Sequence, residues 1–425
     1  MKKICVARNF GLDTITSGFL SIINNETDIK NFRKGKIALF NLNFLSTDSL
    51  IIVSNLINKG AIGFISFDTT KSDHGCIAAK EMGMNFYSLN KKNKNILSFE
   101  NKLITLKKNA IYAGKTIKRN NVIKSYLKKK SISHKVKINL GFPNLLKKKK
   151  DVINICDGVG FSRIEFLMSS ILNNIHPKKY IEIHGLKKFS HQIADLLRPA
   201  VKTFANKKKE YWIRTDDFSV EQLINMRFGK DYEIKEKNSS TGLRGIRRSI
   251  QEESFIIPQF KALKILINEG YENLGVFPPM TNSIDEYKKW KKIALRNGLK
   301  KIKFGVMVET PRAAIMIKEF INEIKFVVFG TNDLTSFLLS VDRSNPNVQS
   351  IFNENDEVVI KIIKDVIKVC KENSIETFIG GQIADNEKFI TKLNRYGLTG
   401  VSVNPDIETV NKMINFYSKL EMKNN

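Results

Sequence analysis

Several segments of this 425-residue chain place arginines and carboxylates directly after short apolar runs. Arg163 follows Gly160-Phe161-Ser162, with Glu165 close behind. Arg214 opens Arg214-Thr215-Asp216-Asp217, and Arg244 sits in Gly242-Leu243-Arg244-Gly245. Glu309 opens Glu309-Thr310-Pro311-Arg312. Gly330-Thr331-Asn332-Asp333 closes another apolar run and is followed by Asp342-Arg343, and Gly380-Gly381-Gln382 ends a further one. Converging guanidinium groups bind a dianionic phosphate through paired N–H donors. Two carboxylates, Glu309 and Asp333, suit a divalent cation held by oxygen alone, with room for water and substrate oxygens. That set points to magnesium, with manganese nearly as good. A cation beside these arginines would hold a small phosphorylated carboxylate and polarise an enolate oxygen as a Lewis acid.

Each residue taken alone has a structural alternative. An arginine after a strand often pairs with a neighbouring acid, and Asn-Asp in that place often caps a helix. Capping does not explain their joint placement after successive strands.

The elements that must position these groups can be read from periodicity. From about residue 135, short apolar strands alternate with helical segments. The strands are expected at 136–140, 158–161, 211–214, 274–278, 304–308, 326–329, 377–379 and 400–403. Alternation of this kind predicts parallel β/α units, and eight of them predict an α/β chain closed as a (β/α)8 TIM barrel. In such a barrel chemistry sits at the C-terminal ends of the strands, where the residues above fall. The third connection is long and is expected to hold an insertion or extended loop over 218–260. The first third reads as a small mixed α/β domain, with strands at 36–40 and 60–67, helices at 49–59 and 77–82, and a hairpin over 103–106 and 110–112. The expected domains are 1–115, a linker over 116–134 whose 114–121 stretch would permit a hinge, and a barrel over 135–420.

Composition narrows the class. Hydrophobic residues make up 42% and charged residues 27% of the chain, which excludes global disorder. No apolar run is long enough to span a membrane, and the first residues do not read as a secretory signal. Cys5, Cys76, Cys156 and Cys370 lack metal-ligand spacing and read as buried small hydrophobes of a reduced, cytoplasmic protein. Lysine and arginine number 71 against 42 acids, a net charge of +29. The excess is lysine in scattered short runs without interleaved aromatics, which argues against a nucleic-acid groove and for a solvated surface that attracts anions.

These motifs resemble the phosphoenolpyruvate-utilising enzymes: pyruvate,water dikinase (phosphoenolpyruvate synthase), pyruvate,phosphate dikinase and the first enzyme of the sugar phosphotransferase system. The matching segments run from Asp157-Gly158-Val159-Gly160-Phe161-Ser162-Arg163 through Ile213-Arg214-Thr215-Asp216-Asp217, Gly242-Leu243-Arg244-Gly245, Gly305-Val306-Met307-Val308-Glu309-Thr310-Pro311 and Gly330-Thr331-Asn332-Asp333 to Gly381-Gln382, in family order. The resemblance implies that Arg163, Arg214, Arg244 and Arg343 hold phosphate and carboxylate. It implies that Glu309 and Asp333 hold Mg2+ and that Gly330, Thr331, Asn332 and Gln382 complete the phosphoenolpyruvate/pyruvate site. The first domain resembles the family's swivelling phosphohistidine domain, which makes His74 the phosphorylated residue. A lone histidine read without that likeness is a surface or capping residue. The resemblance further implies pairing of barrels into a homodimer.

Three departures qualify this likeness. The family carries Cys-Gly-Gln or Cys-Gly-Glu after the seventh strand, where the cysteine gives a proton to the enolpyruvate methylene carbon; here Gly380 occupies that place. Thr69-Thr70 replaces the glycine pair before the histidine, and Asp73 adjoins His74. An ATP-grasp nucleotide domain does not fit within 1–115, so a separate ATP-grasp subunit is an expected partner. The alternative expectation is a degenerate homologue that binds phosphoenolpyruvate or a partner without turnover.

Overall fold

Runs of Val, Ile and Phe bounded by glycine, lysine or proline form the strands of both parts of the chain, because β-branched and aromatic side chains fit a pleated, covered surface. The structure is a computed structural model that describes residues 2–11, 15–41, 49–69, 74–81, 83–115, 132–143, 150–343, 345, 347–381 and 383–424. It divides into two compact units, 1–126 and 127–425. Most of the expected linker, residues 116–131, lies outside the described residues.

The first unit is built on β1 (Lys3–Val6), β2 (Arg8–Asn9), β3 (Thr16–Ile23), β4 (Ile37–Phe40), β5 (Gly63–Phe67), β6 (Asn85–Leu89), β7 (Leu103–Lys107) and β8 (Ala110–Ala113). They form one sheet in the order β1-β8-β7-β3-β4-β5-β6-β2. The run from β3 to β6 is parallel, and β7 and β8 form the antiparallel hairpin expected from the sequence. Every residue of β4, β5 and β6 is buried, as parallel central strands covered on both faces require. Phe40, Phe64 and Phe86 stack across them with centroids 6.0 and 5.9 Å apart. The helix expected over 77–82 instead spans His74–Glu81. The small residues Gly75, Cys76, Ala78 and Ala79 are buried, which lets the helix start earlier and pack closely on β6 and on the helix Ser49–Asn58. His74 is therefore its first helical residue rather than one that precedes it.

In the second unit β9 (Lys135–Asn139), β10 (Gly158–Arg163), β11 (Glu210–Arg214), β12 (Leu274–Phe277), β13 (Lys303–Val308), β14 (Phe326–Gly330), β15 (Glu376–Gly380) and β16 (Gly400–Val403) close a barrel. Every neighbouring pair is parallel, and β16 pairs back onto β9. This is the (β/α)8 TIM barrel the alternation predicts. Phe161, Trp212, Phe277, Met307, Phe326, Val328 and Phe378 fill its interior. Trp212 and Phe326 stack at 3.8 Å. The long connection over 218–260 is ordered, carrying the helices Val220–Ile224 and Gly245–Gln251 and the start of Glu253–Asn268.

A charged side chain lies in the barrel interior. Lys137, on β9, has no exposed side-chain surface, and its Nζ stands 3.0 Å from the Trp212 ring and 2.7 Å from Glu210 Oε2. Glu210 opens β11 and is also paired to Lys303, which opens β13. Burial outweighs the Glu210 attraction and lowers the ammonium to about 7. The unfolded chain then holds more protons than the fold between about pH 7 and 10.5, so the Lys137 contribution to stability rises with pH through that window. Below it, the cost of the buried charge is fully present. Lys137→Met removes the titrating group and leaves Glu210 to Lys303 alone, so its stability relative to wild type is expected to fall as pH rises from 6 to 10. Denaturant unfolding of both proteins at the two pH values checks this; a stability difference independent of pH would show that Lys137 does not titrate as described.

Candidate active site at the barrel mouth

The C-terminal strand ends bring arginines and carboxylates together in a buried polar layer. Arg214 ends β11; its Nη2 donates to Glu165 Oε1, its Nη1 stands 3.2 Å from Asp217 Oδ2, and it lies over the Phe161 ring at 5.1 Å. Arg244 immediately precedes the helix Gly245–Gln251, and it grips Asp217 in a two-pronged pair, Nε to Oδ1 at 2.9 Å and Nη2 to Oδ2 at 2.6 Å. Asp217 thus joins Arg214 at the end of β11 to Arg244 far along the connection that follows it. Arg163 ends β10 with its guanidinium 4.4 Å from the Phe161 ring and 5.4 Å from Phe166, so Phe161 carries two cations over its ring. Arg214, Arg244, Glu165 and Asp217 are all buried. Desolvation alone would lower both arginines; the surrounding carboxylates, Glu165 first for Arg214 and Asp217 first for Arg244, raise them instead. Both stay fully charged.

Glu309 follows β13 and is fully buried. Its Oε1 accepts the Met280 backbone N–H at 2.6 Å, while Oε2 has no hydrogen-bond partner. Burial, then the neighbouring carboxylates of Asp333 and Asp217, raise its carboxyl. Gly330, at the end of the adjacent strand, is what admits this carboxylate: a Cβ there would stand 2.4 Å from Glu309 Oε2. Asp333 lies in the first turn of the helix Thr331–Leu338, and its Oδ1 stands 3.4 Å from Arg343 Nη2. Two electrostatically coupled carboxylates, one with an orphaned buried oxygen, fit a divalent cation. Among the described residues no three His, Cys, Asp or Glu side chains form a metal cluster. A cation here would rest on Glu309 and Asp333, with water or ligand oxygens as its other partners.

Thr331 is buried; its hydroxyl donates to Glu354 Oε1 at 2.7 Å and lies 3.3 Å from the Gly380 carbonyl. Asn332 is half-buried in the same helical turn. Gly380 ends β15 in register with Gly330. Gln382 lies outside the described residues, and so does the His74 side chain, although the His74 backbone opens a helix of the first unit.

The family described as "PEP-utilising enzyme, PEP-binding domain" matches residues 117–416, the barrel and the stretch leading into it. The chain belongs to the PEP-utilising enzyme family. A "Probable phosphoenolpyruvate synthase" of Archaeoglobus fulgidus is 33% identical over 399 residues, covering 92% of this chain and 51% of the relative. The "Phosphoenolpyruvate synthase" of Pyrococcus furiosus is 36% identical over 275 residues, covering 64% of this chain and 33% of the relative. A "Probable phosphoenolpyruvate synthase" of Methanocaldococcus jannaschii is 31% identical over 357 residues, covering 80% of this chain and 29% of the relative. The chain spans about half or less of the length of these curated relatives.

In this PEP-utilising family member, the sequence shows the acids beside the arginines but not which arginine each one holds. Asp217 and Glu165 stand three and two positions after Arg214 and Arg163, yet Glu165 meets Arg214 and Asp217 meets both Arg214 and Arg244, which only the fold shows. Glu354 lies in a loop with no motif around it. Asp216 is also buried; burial raises it to about 7, and Gln259 holds its Oδ1. No helix of the described residues is long and apolar enough to cross a membrane.

Proposed function

We propose that this chain binds phosphoenolpyruvate and pyruvate with Mg2+ at the barrel mouth and passes a phosphoryl group to or from His74, in the manner of pyruvate,water dikinase. The convergence of Arg214, Arg244, Glu309 and Asp333 carries the reading, and the likeness to phosphoenolpyruvate synthases supports it. Arg163, Arg214, Arg244 and Arg343 would hold the phosphate and carboxylate of the substrate. Glu165 and Asp217 keep Arg214 and Arg244 charged and aimed until an anion shares their N–H donors. Glu309 and Asp333 would hold Mg2+, with Asn332 bonding the substrate and Thr331 and Gln382 closing the site. When bound, the cation supplies Lewis-acid stabilisation of the enolate oxygen.

A neutral His74 nitrogen would attack phosphorus. The N–P bond forms as the P–O bond to the enol breaks, and the electron pair stays on the enolate oxygen. Pyruvate then requires a proton at the methylene carbon, which Gly380 cannot give. An ATP-grasp unit outside residues 1–425 would exchange phosphoryl groups with His74, and a barrel-mediated homodimer in the cytoplasm would be the working form.

The test is to mix the protein with phosphorus-labelled phosphoenolpyruvate and Mg2+. Acid-labile label on His74, absent from His74→Ala, is expected; a folded protein that takes no label would remove the transferase reading. Gly380 favours a second reading, a homologue that binds without turnover. That reading expects Mg2+-dependent binding by calorimetry while solvent deuterium never enters pyruvate, and exchange at an ordinary enzymic rate would defeat it.

A further inference from the structure

Behind Arg244 lies a buried network that the reaction just described does not use. Arg248 is 1% exposed and forks onto Glu233, Nη1 to Oε1 and Nη2 to Oε2, each at 2.8 Å. Glu233 Oε1 also lies 3.1 Å from His176 Nε2. His176 Nδ1 accepts the Lys178 backbone N–H, so Nε2 carries the ring proton and donates to Glu233. The imidazole is stacked on Tyr232 at 4.8 Å with an interplanar angle of 7°. Arg248 Nη1 reaches Glu252 Oε2 at 3.0 Å as well.

The remaining Arg248 bond joins this network to the site: Nη2 donates to the Leu243 carbonyl at 3.1 Å. Leu243 directly precedes Arg244, and the short segment between them is pinned on all sides. The Leu243 N–H donates to Glu236 Oε1 at 2.8 Å. Gly242 allows that approach, since a Cβ there would stand 1.9 Å from Glu236 Oε2. The Ile246 N–H donates to the Pro279 carbonyl at 3.0 Å. A buried arginine holding two carboxylates costs desolvation that a hydrophobic side chain would avoid. Stability alone therefore gives no reason for it, whereas a fork of fixed geometry that spans Glu233 and one backbone carbonyl sets where the next residue points.

We propose that Arg248, held by Glu233 and His176, is a positioning residue that fixes the backbone at Leu243 and so aims Arg244 at the anion site. This rests on the reading that Arg244 binds phosphoenolpyruvate. Arg248→Lys keeps the charge, and with it folding, but its single ammonium cannot span Glu233 and the Leu243 carbonyl together. Calorimetric phosphoenolpyruvate binding, with Mg2+, is compared in the full chain for wild type, Arg248→Lys, Arg244→Lys and the double variant. Arg248→Lys is expected to weaken binding about tenfold alone and to have almost no effect once Arg244 is lysine, a coupling between sites that share a segment. Glu233→Gln, which loosens the fork from the other side, should weaken binding in the same coupled way and guards against an Arg248→Lys protein that fails to fold. Equal effects of Arg248→Lys in both backgrounds, or none in either, would overturn the proposal. A folded wild type that binds no phosphoenolpyruvate would instead remove the underlying reading.

Discussion

Replacing Gly380 with cysteine is expected to raise the rate at which solvent deuterium enters the methyl group of pyruvate by roughly 10²–10⁴-fold, the usual worth of a positioned general acid-base group. The resemblance supplies the motive: the related enzymes carry a cysteine here, and a hydrogen atom in place of a side chain has no proton to exchange. The structure says what the substitution would meet. Gly380 ends β15 beside Gly330, the residue whose missing Cβ admits the Glu309 carboxylate. A Cβ at 380 would stand 3.2 Å from the Phe329 carbonyl, 3.3 Å from Val328 Cγ1 and 3.7 Å from Phe161 Cδ1. The Phe161 contact is ordinary and the Val328 methyl can give by a few tenths of an ångström, but the Phe329 carbonyl is backbone of the neighbouring strand and gives less, so the cost in stability should be about 1–3 kcal/mol. A thiol with an ordinary pKa near ~8.5 is mostly protonated at neutral pH and ready to donate. Proton NMR of pyruvate in D2O with Mg2+ follows the exchange. Unchanged exchange in a variant that binds phosphoenolpyruvate normally would mean that carbon protonation is blocked elsewhere. Fast exchange already in wild type would mean that another group has taken the role.

The barrel was legible because its signals are local. Each of the eight strands is a short apolar run ended by a polar motif, and the observed strands match the expected ones to within two residues at either end. The positions of Arg214, Glu309 and Asp333 were legible for the same reason, since they end or closely follow barrel strands; Arg244 lies far along the connection after β11 and was legible only through the Gly242-Leu243-Arg244-Gly245 motif. What the sequence hid is decided by side chains meeting across long separations. Asp217 and Arg244 stand 27 positions apart and meet only because the connection after β11 folds back over the mouth. Lys137 on β9 reads as an exposed lysine between apolar neighbours, yet it points into the interior, because Glu210 from β11 and the face of Trp212 receive it. In the first unit, β3 and β6 escaped because Thr16–Ile23 and Asn85–Leu89 mix serine, asparagine and glycine with their apolar residues, and only the sheet neighbours decide which face is covered. The expected helix start at Ile77 missed the turn opened by His74 because Gly75 and Cys76 are poor helix formers in isolation and are carried by packing.

Asp217→Asn is expected to lower the unfolding free energy of the barrel by about 3–5 kcal/mol, the usual result of removing one partner from a buried ion pair. Asp217 is 5% exposed and answers two guanidinium groups that are themselves buried. Asparagine keeps the shape and one acceptor oxygen but removes the negative charge, so Arg244 loses the carboxylate that faces both of its donor nitrogens. Arg214 is less exposed to the change, because Glu165 still holds its other arm. The deficit is electrostatic, and an anion that settles between the arginines should restore part of it. Such a ligand binds the folded chain and not the unfolded one, and adds stability as RT ln(1 + [L]/Kd). In wild type the same anion must share its donors with Asp217, whereas in the variant it meets Arg244 nitrogens that Asp217 no longer holds. Inorganic phosphate or phosphoenolpyruvate should therefore raise the unfolding midpoint of Asp217→Asn by more than that of wild type, and high salt should narrow the difference. Denaturant unfolding with and without each anion measures both effects. A loss below about 1 kcal/mol would place Asp217 among ordinary surface pairs. A normal loss with no anion response would mean that the two arginines do not face a common ligand, and the phosphate-binding role given to them would fall with it.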